Sequence, residues 1–176
     1  MQIAAALRVC VLSLCALAIQ ASAEEVRVVA PGAVLVLQVP AGWRSAKQPG
    51  PVPTVSLSPA TGNDFQVLVS ALVARDGRLA PSSGESLRGL VEAGTQAAKA
   101  QAVEQSLPIH SFGTADVQGH YFSATDRAPK PGEFKYMTQG AMSVSGLPVA
   151  FTVLSNGTPK AAVEPTLRML AAARKE

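Results

Sequence analysis

Cysteine is nearly absent from this chain. The only two, Cys10 and Cys15, fall within the first 23 residues. Arg8 is the single charge in that segment, Val9 to Ile19 is an apolar core, and Ala21-Ser22-Ala23 supplies the small residues at which a signal peptidase cuts. The segment reads as a secretory leader cleaved before Glu24. Its apolar run is short for a bilayer span, which needs about 20 residues. It does not match a lipoprotein anchor, because Cys15 follows Leu14 and Cys10 follows Val9 where a small residue is required. Cleavage would leave 176 − 23 = 153 residues with no cysteine. That excludes a disulfide and thiol catalysis, so an exported domain must be held by its core alone.

Other absences narrow the function. There are two histidines, His110 and His120, and neither sits in a His-x-x-x-His or Cys-His spacing, so no metal motif is present. No Gly-x-Ser-x-Gly elbow and no Gly-x-Gly-x-x-Gly or phosphate loop occurs. Acids are scattered rather than paired for acid–base work. The formal charge of +3 falls to +2 when Arg8 leaves. That is too little to argue for nucleic acid or a membrane surface. There is no internal repeat and no heptad pattern. The chain reads as one domain, residues 24–176, with no cofactor or metal site and no stable membrane anchor after cleavage.

What is present is alternation. Phe134, Tyr136, Thr138, Gly140, Met142 and Val144 share one parity; Ser145-Gly146-Leu147-Pro148 turns the chain, and Val149, Phe151 and Val153 return it. This period of two predicts a central antiparallel hairpin ending at Asn156-Gly157. Strands are also predicted over parts of 24–40, at 54–57, at 65–73, at 109–113 and at 117–126. Arg44–Pro53 reads as a Pro- and Gly-rich loop. Ser82-Ser83-Gly84-Glu85 reads as a capping box opening a helix with a Leu87, Leu90, Val91, Gly94, Ala98 stripe. A last helix is expected from about Glu164 to Arg174.

This order, with the step Pro40-Ala41-Gly42-Trp43 after an early strand, resembles the PsbP-like family from about Val34 to Arg174. That family includes the extrinsic PsbP subunit of photosystem II, a Ran-binding nuclear import factor and bacterial periplasmic proteins, some of them immunity proteins. The resemblance implies an α+β fold: an α/β/α sandwich with a central antiparallel sheet flanked by helices. It carries no shared catalytic residues. It implies a non-enzymatic protein that binds another exported or envelope protein, and the leader places it in the periplasm or outside the cell.

The basic loop Arg127, Lys130, Lys135, stiffened by Pro129 and Pro131, is the expected contact for an acidic partner. Trp43, the only Trp, is the second candidate. Two alternatives stand beside this reading. One is a small exported hydrolase or metal-dependent enzyme built on His110, His120 and nearby acids such as Asp116 and Asp126. The other is a small-ligand carrier with a pocket beside Trp43.

Overall fold

The computed structural model describes residues 23–176; residues 1–22, almost all of the segment read as a leader, lie outside them. The chain opens with β1 (Glu24–Ala30) and β2 (Ala33–Val39), an antiparallel pair turned at Pro31-Gly32. Then come β3 (Trp43–Gln48), β4 (Thr54–Pro59) and β5 (Phe65–Ala71). The first helix, α1, spans Gly84–Ala98. It is followed by β6 (His110–Gly113), β7 (Val117–Thr125), β8 (Tyr136–Val144) and β9 (Leu147–Ser155). Helix α2 (Pro159–Ala171) and the two-residue β10 (Arg174–Lys175) close the chain.

Seven of the strands form one antiparallel sheet in the order β3-β4-β5-β9-β8-β7-β6, and β1-β2-β10 form a second. The hairpin β8–β9 sits at the centre of the large sheet, as its alternation predicts. Thr138, Gly140, Met142 and Val144 do share the core face with Val149, Phe151 and Val153. Two glycines on that face make room for rings. A Cβ on Gly140 would lie 2.4 Å from Phe151 Cζ and 2.5 Å from the His120 carbonyl. A Cβ on Gly119 would lie 2.4 Å from Phe112 Cε1. Phe112 and Phe151 then meet edge to face, centroids 5.6 Å apart.

The helix-flanked α/β/α sandwich is not what this chain forms. Among the described residues strand accounts for 45% and helix for 18%. The core face of the large sheet is closed jointly by the small sheet, through Val26, Val28, Leu35 and Leu37, and by α2, through Met169 and Leu170. On the opposite face α1 packs on β7 and β8. Gly94 makes that approach close: a Cβ there would sit 3.0 Å from Phe122 Cε1 and 3.1 Å from Gln139 Oε1. Two helices cannot flank a seven-stranded sheet when one covers two strands and the other shares its face with a second sheet.

Three local expectations also change. Residues 44–48, expected at the start of the Arg44–Pro53 loop, join Trp43 in edge strand β3, which pairs only with β4. Its sequence is polar because an edge strand is half solvated, and Lys47 there discourages a further strand from pairing. The cap of α1 is Ser83, not Ser82: Ser83 Oγ accepts from Ser86 N at 3.2 Å. That places Glu85 one residue short of the position a capping box needs. Helix α2 starts at Pro159 and runs through Pro165, losing one interior hydrogen bond. It continues because Ala162, Thr166, Met169 and Leu170 are all buried. Arg174 and Lys175 then leave the helix and pair with Val36 and Leu35 of β2.

Candidate functional site

The basic loop leaves β7 and returns to β8, and its ends are tied. Asp126 N donates to Lys135 O, and Arg127 N to Gln101 O. The Arg127 guanidinium donates to Ala102 O at 2.8 Å, so this residue fastens the loop to the segment after α1 rather than reaching outward. Lys130 is exposed, and its backbone N–H donates to Glu133 Oε2. Lys135 N–H donates to Asn156 Oδ1, while its Nζ sits 5.3 Å from the centre of the Tyr136 ring. Neither Lys130 nor Lys135 has an ion-pair partner among the described residues.

Trp43 lies at the same end of the sheet, but β3 is four strand spacings from β8, roughly 19 Å. It packs on Phe65 with centroids 4.6 Å apart and borders the main core. The structure therefore splits the four candidates. Lys130 and Lys135 form an outward cationic edge, Arg127 is a fastener, and Trp43 closes the core elsewhere.

The histidines are neighbours across β6 and β7 without forming a cleft. His120 Nδ1 and Ser111 Oγ are 3.1 Å apart. His110 stacks obliquely on Tyr121 at 5.3 Å. No acid meets His120, so nothing orients it as a base for Ser111. Asp126 caps its own loop by accepting from Ala128 N. Among the described residues, no three His, Cys, Asp or Glu gather as metal ligands would.

Two features escaped the sequence reading. The first is a groove on the α1 face of the sheet. Because α1 covers β7 and β8, the strands beyond them leave Gln66, Leu68, Ser70, Thr152 and Leu154 half-exposed. Along the flank of α1 lies a trough of about 190 Å³ lined by Leu72, Leu90, Val91, Gln139, Ala141 and Ala150. A second hollow of about 170 Å³ on the same face carries Ala98, Met137, Leu154 and Phe134 with Asp126 and Lys135. Leu90, which the helical stripe assigns to the buried face, is 48% exposed at its rim. Its exposure follows from the covering, since a helix seated over β7 and β8 turns one flank toward open sheet.

The second lies on the core face at the loop end. There the residues of core-face parity turn from apolar to hydroxyl: the exposed Ser123 and half-buried Thr125 on β7, the half-buried Tyr136 and buried Thr138 on β8, and the buried Ser155 on β9. They line a cavity of about 140 Å³ together with Glu104 and Pro159. Thr125 gives Glu104 two hydrogen bonds, from its backbone N–H at 2.9 Å and its hydroxyl at 2.7 Å. Partial burial opposes ionisation of Glu104, but the Thr125 hydrogen bonds outweigh it and hold the carboxyl below its usual range. The sequence signal was there: hydroxyls at Ser123, Thr138 and Ser155 stand where strand parity asks for apolar side chains.

No family model matches the chain. No curated protein matches it either. A crystal structure from Bacteroides thetaiotaomicron is similar over 81% of this chain and 45% of its own, at 13% identity and a TM-score of 0.47. The chain thus spans less than half of that protein, and a likeness of this size carries no argument about fold or function. None of these findings bears on the PsbP-like resemblance.

Proposed function

We propose that this chain is an exported, non-enzymatic accessory protein that binds another envelope or exported protein through the groove beside α1. The observation that carries the reading is the exposed Leu90, set over a trough of apolar and small side chains on a sheet face that α1 leaves half uncovered. Apolar surface rimmed by polar residues is the usual mark of a protein contact. The hollow next along this face carries both Lys135 and Asp126, so the partner segment is apolar with a polar end that Lys135 can meet. The leader-like first 23 residues support export, and the absence of cysteine from residues 24–176, with no gathered metal ligands and no acid on His120 among the described residues, supports binding over catalysis.

The contact surface differs from the one the sequence suggested. Helices do not consume both faces of the sheet, so a partner need not rely on loops alone. The test is capture from an envelope fraction under mild cross-linking. Leu90→Glu should abolish capture, and Lys135→Ala should weaken it more in low salt than in high salt. Val29→Glu, on the small sheet and 64% exposed, should change nothing. Equal capture by the wild type and Leu90→Glu would remove the groove from the account.

A further inference from the structure

The hydroxyl-lined cavity lies on the opposite face of the sheet from the groove and makes a different demand. Thr138 is 2% exposed and Ser155 3%, so polar groups stand where the core should be apolar. Ser123 Oγ and Thr138 Oγ1 satisfy one another at 2.7 Å. Ser155 does not pair in this way: its hydroxyl bonds to no other described residue. No enclosed side-chain polar atom is left without a partner, so the Ser155 hydroxyl opens into the cavity it lines. A buried hydroxyl costs free energy unless something accepts or donates to it.

Charge points the same way. Glu104 is half-buried, ionised at neutral pH, and in no ion pair among the described residues. Thr125 fills two of the roughly four acceptor positions that a carboxylate offers. No other acid lines the cavity; Ser123, Thr125, Tyr136, Thr138 and Ser155 supply neutral oxygens, and Ala124, Met137, Val153 and Pro159 supply the apolar remainder of the wall. A single negative charge among hydroxyl oxygens suits an ammonium group, which has three N–H donors and no acceptor. Glu104 is the only acid on the cavity, and no three His, Cys, Asp or Glu gather as metal ligands among the described residues. The far wall is electropositive by comparison. Pro159 is the first residue of α2, whose N-terminal end carries the positive end of the helix dipole. The end of the ligand away from Glu104 should therefore carry an oxygen.

We infer that this cavity binds a short primary ammonium compound bearing an oxygen function, with the ammonium on Glu104 and the oxygen toward Ser155 and the start of α2. At about 30 Å³ for each water-sized group, a cavity of about 140 Å³ holds about five such groups, the size of a small amino alcohol. The same ammonium chemistry is carried by a lysine side chain, and the experiment separates the two sources.

Ethanolamine is titrated into the protein at neutral pH and followed by calorimetry and by the amide resonances of Thr125, Thr138 and Ser155. N-acetyl-lysine methylamide is run in parallel. Saturable binding of ethanolamine is expected, with acetate and glycerol failing to compete. Tighter binding of the lysine derivative would assign the ammonium to a side chain instead of a free amine. Glu104→Gln keeps an acceptor for Thr125 and removes the charge, and should weaken binding about tenfold or more. Ser155→Ala should weaken it several-fold without touching charge, which decides the matter if Glu104→Gln lowers the thermal midpoint. No saturable shift with ethanolamine, equal binding by both variants, or the same response to potassium chloride at equal concentration would overturn the inference.

Discussion

At the scale of single residues, space rather than polarity decides which substitutions matter. Gly140 is the tightest case in the centre of the sheet. Its Cβ position is occupied by the edge of Phe151 on one side and by the His120 carbonyl on the other, and backbone cannot step aside. Gly140→Ala should lower stability by about 3 kcal/mol, read as a shift in the urea midpoint at unchanged slope. Gly157→Ala should be nearly silent by comparison, since nothing lies within 4 Å of its Cβ position. The ion pairs at the chain ends act differently. The Arg174 guanidinium holds the Glu25 carboxyl below its usual range, against some desolvation, and Arg27 adds to it. Arg27 and Arg174 both also reach Glu176. Because the folded value of Glu25 is depressed, its contribution is present above the ordinary carboxylate range and is lost as pH falls through the lowered value. Hydrogen-exchange protection at Val34 and Glu176, whose amides bond across β2 and the C-terminus, taken relative to the intrinsic rate at each pH, should therefore fall on acidification and with added salt before that of the central strands.

At the scale of elements, the strands were far more legible than the helix ends. The central hairpin could be read because its core-face residues alternate without a break from Thr138 to Val144. The close approach of α1 could be read from Gly94, since only a small residue allows a helix to lie against Phe122. β3 could not be read, because an edge strand paired on one side needs no apolar face, and Arg44, Ala46, Lys47 and Gln48 are all exposed. Helix termini depend on one side chain. Ser82 and Ser83 are equivalent in sequence, and the extended backbone of Ser83, with φ −65° and ψ 149°, makes it the cap. Ser83→Ala should cost about 1 kcal/mol and Ser82→Ala less than about 0.5 kcal/mol by thermal denaturation. The groove was hidden for a related reason. The stripe on α1 names which residues are apolar, but how far the sheet extends past the helix depends on the distant pairing of β5 with β9. The hydroxyl cavity was hidden because Glu104 joins Thr125 from 21 residues away.

At the scale of the whole molecule, two layers of strand share one apolar core, and α1 stands apart on the outer face of the large sheet. Export should be visible as a mature protein beginning at Glu24 in the envelope fraction, by intact mass. That mature form has no thiol, so its thermal midpoint should not move with dithiothreitol. The same property allows the central claim, that a partner docks beside α1, to be tested at a single site. A photo-reactive phenylalanine analogue is placed at position 90 in one variant and at position 29 in another, both exposed apolar positions on different surfaces. The cells are illuminated and adducts of the envelope fraction are compared. A discrete adduct with one exported protein from position 90, absent from position 29, is the predicted result. No adduct from position 90, or the same adducts from both positions, would contradict the account.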